Sequence, residues 1–119
     1  MLVSNTYLAG QDILERYSLG GRDLYRLLVK ELNKLGPVQE RKKAVTISLE
    51  NRRPFASVFI RNRSIKLVLR TQHRIANARI LSINRVADKS FDHTILIDSK
   101  NDIDDKLMEW LGEAYLASE

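Results

Sequence analysis

Asp98, Ser99 and Lys100 close the apolar run Thr94–Ile97, and they admit two chemistries. Preceded by Asp88 or Asp92, a strand ending in acid-x-Lys is half of a metal-dependent nuclease pattern. The acids would hold magnesium and the lysine would organise the attacking water. The same residues also start a helix. Ser99 and Asp102, three positions apart, form a capping box with Asp in place of the usual Glu. Asp102, Asp104 and Asp105 then crowd a first turn, where the helix dipole favours negative charge. The helix start is the better reading: the nuclease lysine sits inside a strand, whereas Lys100 is followed by Asn101-Asp102, which end one.

Other reactive types are sparse. The chain has no cysteine, which excludes thiol catalysis, disulfides and cysteine-based zinc sites. Its two histidines are isolated: His73 lies in a polar, basic stretch, and His93 shares strand parity with Phe91, Ile95 and Ile97, as a core or edge histidine would. Gly20-Gly21 before a helix could cradle a phosphate, but a bare Gly-Gly is far more often a loop. The expectation is a protein without catalytic residues, metal or cofactor.

Charge is the stronger signal. Residues 38–90 hold 13 basic and 3 acidic side chains, net +10, whereas residues 91–119 hold 2 basic and 8 acidic, net −6. A basic middle fits a polyanion such as nucleic acid, or an acidic protein partner. The plain alternative is internal, with the acidic tail lying against the basic middle. The start of the sequence has no basic head followed by a long apolar stretch, and no run approaches the ~20 residues a bilayer span needs. The expectation is a cytoplasmic protein with no membrane contact.

The elements that must position these charges follow from periodicity. At 119 residues the chain fits one domain, with residues 1–20 as an N-terminal extension in which Asn5–Tyr17 could form a short helix. Leu24, Leu27, Leu28, Leu32 and Leu35 have helical spacing, stopped by Gly36-Pro37, so a helix is predicted over Gly21–Leu35. Three strands with short connectors, "AVTISLE", "FASVFIR" and "SIKLVLR", read as an antiparallel meander. "RILSINRV" and "FDHTILI" add two more, and Ile103, Leu107, Trp110, Leu111 and Ala114 line a helix over Asp102–Ala117. The fold class is α+β: an antiparallel sheet of about five strands with both helices on one face.

Loop length sets the register. A two-residue turn at Asn62-Arg63 opposes Ile60 to Ile65, Val58 to Leu67 and Ala56 to Leu69. A four-residue "NRRP" loop opposes Glu50 to Phe55, Leu49 to Ala56, Ile47 to Val58 and Val45 to Ile60. One face is then wholly aliphatic and buried. The other carries Phe55, Phe59, Arg61, Lys66, Val68 and Arg70, with Phe59 beside Lys66 and Phe55 beside Arg70. Rings interleaved with cations suit single-stranded nucleic acid, whose bases stack on aromatics while phosphates meet the charges. Arg52-Arg53 and Arg61-Arg63 fall at opposite ends of the middle strand, ~20 Å or more apart, so a ligand using both must cross the sheet. The candidate contact residues are therefore Phe55, Phe59, Arg61, Arg63, Lys66, Arg70, Arg52 and Arg53. The competing use of the same face is a protein-interaction or homo-oligomerisation patch built on Phe55, Phe59 and Val68.

Tyr17-Ser18-Leu19, the Phe55–Ile60 strand, Ile65–Leu69 and Leu107…Trp110-Leu111…Ala114-Tyr115 resemble a small uncharacterised bacterial and archaeal domain family loosely labelled "predicted transport protein". The resemblance spans roughly Tyr17 to Ser118. It implies the fold, and it implies a module that often follows nuclease-like domains. It assigns no catalytic residue. Where such domains commonly carry a glycine-rich, His-containing turn before the last strand, this chain reads "ADKSFDHT", without glycine.

Overall fold

A computed structural model of the chain describes residues 20–119, so the helix expected within Asn5–Tyr17 lies outside the described residues. The architecture is α+β. Helix α1 (Gly21–Leu32) precedes strands β1 (Gln39–Lys42), β2 (Ile47–Glu50), β3 (Pro54–Ile60), β4 (Ile65–Thr71), β5 (Ser82–Ala87) and β6 (Ser90–Ile97); a 3-10 turn (Lys100–Asp102) then leads into α2 (Asp105–Ala117). The strands form one six-stranded antiparallel sheet in the order β1-β2-β3-β4-β6-β5.

The register is the one loop length predicts. Ile47 opposes Val58, Leu49 opposes Ala56, and Ala56, Val58 and Ile60 oppose Leu69, Leu67 and Ile65. These aliphatic rows continue into β6, where Leu67 meets Ile95 and Ile65 meets Ile97. Leu49, Val58, Ile65, Leu67, Leu69, Ile95 and Ile97 are fully buried, against Leu24, Leu28 and Leu32 of α1 and Leu107 and Leu111 of α2. Each such side chain contributes roughly 1.5–3 kcal/mol on burial, so this layer dominates the stability.

The sequence reading differs from the structure at two places in the meander. The sixth strand, β1, is a short charged edge strand, "QERK", with every residue exposed; it lacks the apolar alternation that reveals a strand. The chain turns back through residues 43–46, so Val45 leaves the ladder and stands 69% exposed instead of opposing Ile60. The second difference is a bulge between Leu49 and Glu50, which pairs Glu50 with Pro54 rather than Phe55.

Two glycines fix the helix ends. A Cβ on Gly21 would stand 2.0 Å from the Arg61 carbonyl oxygen and 2.7 Å from that of Ser64. Its N–H donates to the Asn62 carbonyl at 3.0 Å. The Gly-Gly pair is therefore the seat of α1 on the β3–β4 turn, and its amide is spent there rather than on a phosphate. At the other end α1 stops at Leu32, tightens through Lys34 and Leu35 in 3-10 fashion, and reverses at Gly36 with φ +152°. The helix thus ends three residues before the predicted Leu35. The Tyr115 hydroxyl donates to the Pro37 carbonyl at 2.9 Å, tying this turn to α2.

Residues 72–80 run over β6 on the helix side, and His93 holds them there. It is fully buried, and its Nε2 accepts the Ile75 N–H at 3.0 Å while Nδ1 has no hydrogen-bond partner. Burial pushes the imidazole below its ordinary pKa, with His73 adding to the depression; the Leu69 and Phe91 carbonyls and Asp92 oppose it. The folded state therefore binds fewer protons than the unfolded state once pH falls below about 6.5. Stability should decline as pH drops below that value, and His93→Leu should flatten this part of the profile when unfolding midpoints are measured between pH 5 and 8. Separately, Gly21→Ala should lower stability by ~1–3 kcal/mol, because the turn must move to admit the methyl. Thermal melting checks this, and an unchanged midpoint would contradict the seating described here.

Candidate nucleic-acid interface

The ion pairs sort the basic residues into two groups. Arg70 is clamped by Asp92 through Nε–Oδ1 at 2.8 Å and Nη2–Oδ2 at 3.0 Å, across the β4–β6 pairing, and that bond holds its pKa above the ordinary value. Arg53 donates to the Ala117 and Glu119 carbonyls at 3.2 and 3.0 Å, satisfying the end of α2. Arg79 grips Asp104 at 3.0 Å and lies 5.7 Å over the Trp110 ring. His73 pairs with Glu113, and Arg41 with Glu50 at 3.3 Å. The acidic tail thus pairs with Arg70, His73 and Arg79, while Arg41 pairs within the basic middle and Arg53 is held by the end of α2.

The second group makes no ion pair with any described residue. Arg61 and Arg63 lie on the β3–β4 turn, Lys66 opposes Phe59 on the next strand, and Lys42 and Lys43 enter the β1–β2 turn. The antiparallel order brings the two turns to the same end of the sheet. Lys42, Lys43 and Phe59 line one open hollow of about 370 Å³ there. Phe59 is half-buried, with Lys66 Nζ 5.5 Å and the Arg61 guanidinium 5.8 Å from its ring centroid. Arg22, at the start of α1, borders the same turn.

The expected contact set is thereby redrawn. Phe59, Arg61, Arg63 and Lys66 come together on an accessible surface. Phe55 does not join them: it is 1% exposed, its ring edge-on to Tyr115 at 5.4 Å between centroids. The bulge is the reason: it leaves Phe55 as the extra residue of β3, opposite neither Leu49 nor Glu50, and breaks the simple alternation there. Arg70 and Arg53 are engaged as described, and Arg52 is exposed before β3, at the opposite end of that strand from Phe59. Lys42 and Lys43 were missed because no strand was read before them. The run Arg41-Lys42-Lys43 ahead of β2 was the available signal.

The Asp98 region is occupied by helix capping. The Ser99 hydroxyl accepts the Asn101 N–H at 3.2 Å while an Asp102 carboxylate oxygen accepts the Asp98 and Ser99 N–H groups, completing the capping box. A hydrogen bond shared with Asp102 raises the Asp98 carboxyl above its usual value. Asp104 in turn accepts the Leu107 N–H at 2.9 Å, and this bond holds its own carboxyl below the usual range. Lys100 stands in the 3-10 turn rather than in a strand. Among the described residues no cluster of three or more His, Asp or Glu is disposed to hold a metal, and no helix is long and apolar enough to cross a membrane.

Residues 11–118 match the family model described as the domain of unknown function DUF5655, and the chain belongs to that family. No curated protein matches, and no solved structure does. The family description carries neither the transport label nor the company of nuclease-like domains that the resemblance implied.

The two phenylalanines should behave differently. Phe55→Ala should cost ~3–5 kcal/mol, as a buried ring removed from a packed core. Phe59→Ala should cost less than half of that. Denaturant unfolding of both variants checks the contrast, and equal losses would contradict the division of the two rings between core and surface.

Proposed function

We propose that this member of the DUF5655 family is a non-catalytic accessory module that contacts nucleic acid through the basic end of its sheet. The observation that carries the reading is five cations without an acidic partner among the described residues at one end of the sheet: Lys66 and Arg61 over the half-buried Phe59 ring, Lys42 and Lys43 lining a hollow with it, and Arg63 in the adjoining turn. Arg22, Lys30, Arg52, Arg74 and Lys89 also make no ion pair with a described residue, so what sets these five apart is their gathering at one end of the sheet. Leaving these solvated concentrates positive potential where a polyanion would meet it. The absence of a reaction is part of the same proposal. Asp98, Ser99 and Asp102 are spent on the capping box, and the Gly21 amide on the β3–β4 turn.

A protein-interaction or oligomerisation patch is less well supported. It was built on Phe55, Phe59 and Val68, and its first ring belongs to the core. An acidic protein partner would use the same cations, and competition by such a protein would appear as salt-sensitive binding without nucleic acid.

Fluorescence anisotropy against labelled oligonucleotides tests the proposal. Four or five neutralised phosphates give a slope of about −3 in log Kobs against log salt for a single strand. Lys66→Glu with Arg63→Glu should abolish binding at moderate salt, while Arg52→Glu at the far end should change it little. No binding at low salt, or an equal effect of Arg52→Glu, would remove the proposal.

A further inference from the structure

Between the ridge that carries Phe59 and the one that carries Arg70, the side of the sheet left free by the described residues is recessed. The cross-strand pairings place Arg41, Ser48, Ser57, Val68, Thr94 and Ser82 in one row running perpendicular to the strands. Beyond the edge residue Arg41 nothing in this row is larger than valine. One wall is the row Phe59, Lys66 and Leu96; the other holds the Arg70–Asp92 ion pair and Asn84. Where the trough crosses β2 to β4 it deepens into a hollow of about 210 Å³, lined by Lys43, Thr46, Ser48, Ser57, Val68 and Arg70 among others.

We infer that this trough is the path of a single nucleic-acid strand, laid across the sheet. The inference rests on the nucleic-acid reading above and narrows it to one class of ligand. Dimensions argue for it first. Lys66 and Arg70, four residues apart on one strand, set the walls ~13 Å from centre to centre, and six strands make the trough ~24 Å long. A duplex, whose major groove alone is about 12 Å across, cannot lower its paired bases onto such a floor. An unpaired strand can turn its bases inward.

Chemistry argues for it next. Beyond the edge residue Arg41 the floor residues are themselves uncharged and mostly hydroxyl-bearing: Ser57 and Thr94 offer donors and acceptors to sugars and base edges. Ser48 is turned to its neighbour, its hydroxyl donating to Glu50 at 3.0 Å. Two acids stand on this side of the sheet, each beside an arginine: Asp92 pairs with Arg70 and the buried Glu50 with Arg41. On the opposite wall a base seated on Phe59 would leave its flanking phosphates beside Lys66 and Arg61, the two cations already over that ring. The path therefore has one stacking position and little capacity to distinguish sequences. Its occupancy is a few nucleotides, in keeping with the lower end of sheet-based single-strand sites.

The test compares a mixed-sequence single strand of roughly twelve nucleotides with its duplex, by anisotropy at low salt. The single strand should bind about tenfold or more tightly than the duplex. Phe59→Leu should weaken single-strand binding about tenfold, as expected for loss of one stacked base, and affect the duplex little. Ser57→Leu, which fills the trough without changing charge, should weaken the single strand as well; melting curves establish that both variants remain folded. Equal affinity for the two probes, or indifference to Ser57→Leu, overturns the trough while the cationic surface stands. Failure of both probes to bind overturns the proposed function and the trough together.

Discussion

The structure depends on the cross-strand register of β2, β3 and β4. A strand shows alternate side chains to opposite faces, so a slip of one position would turn the aliphatic row Leu49–Ala56–Leu69 outward and bring Ser48, Ser57 and Val68 beneath the helices. The energetic difference is large, because the helix-side rows comprise many fully buried side chains, each contributing roughly 1.5–3 kcal/mol. The register in turn puts Phe59 and Lys66 opposite each other on the free side. The candidate surface is thus a consequence of core formation: the positions left over when the apolar residues are buried carry the ring and its cations.

Charge then decides which part of that surface is available. Arg70 lies on the free side as Lys66 does, but β6 brings Asp92 directly opposite it and a two-point ion pair results. Lys66 meets Leu96 at the equivalent place and stays unpaired with any described acid. The partition follows from which residue β6 presents at each step of the ladder. Exposed ion pairs are worth little in stability, so the consequence of the Arg70–Asp92 pair lies in the local potential more than in folding energy. The seat of α1 on the β3–β4 turn matters for the same reason. Gly21 admits the Arg61 and Ser64 carbonyls at close range, which fixes the turn that holds Arg61 and Arg63 just beyond the Phe59 wall of the trough.

Much of this was legible in the amino-acid order. Alternation in "AVTISLE" and "SIKLVLR", with a two-residue turn between β3 and β4, sufficed for the register of the meander, and Ser99 with Asp102 announced the capping box. What was not legible has physical causes. β1 is an edge strand of four exposed polar residues, and an edge made only of backbone pairing leaves no pattern of burial. Phe55 went to the core because a bulge, invisible in composition, shifted the start of β3. The engagement of Arg53 and Arg70 depends on partners far along the chain, at Ala117, Glu119 and Asp92. No local reading of the basic segment could have separated them from Arg61 and Arg63.

The central claim is that a polyanion engages the free side of the sheet at its Phe59 end. The most direct measurement is a backbone amide titration by NMR with a short unlabelled oligonucleotide, which reports every position at once. The account predicts that shifts concentrate at Lys43–Thr46, Ser57–Phe59 and Arg61–Val68, with α1 beyond its first turn and α2 left unmoved. Shifts centred instead on Arg53, Lys89 and the end of α2, or spread evenly over all lysines and arginines, would contradict it.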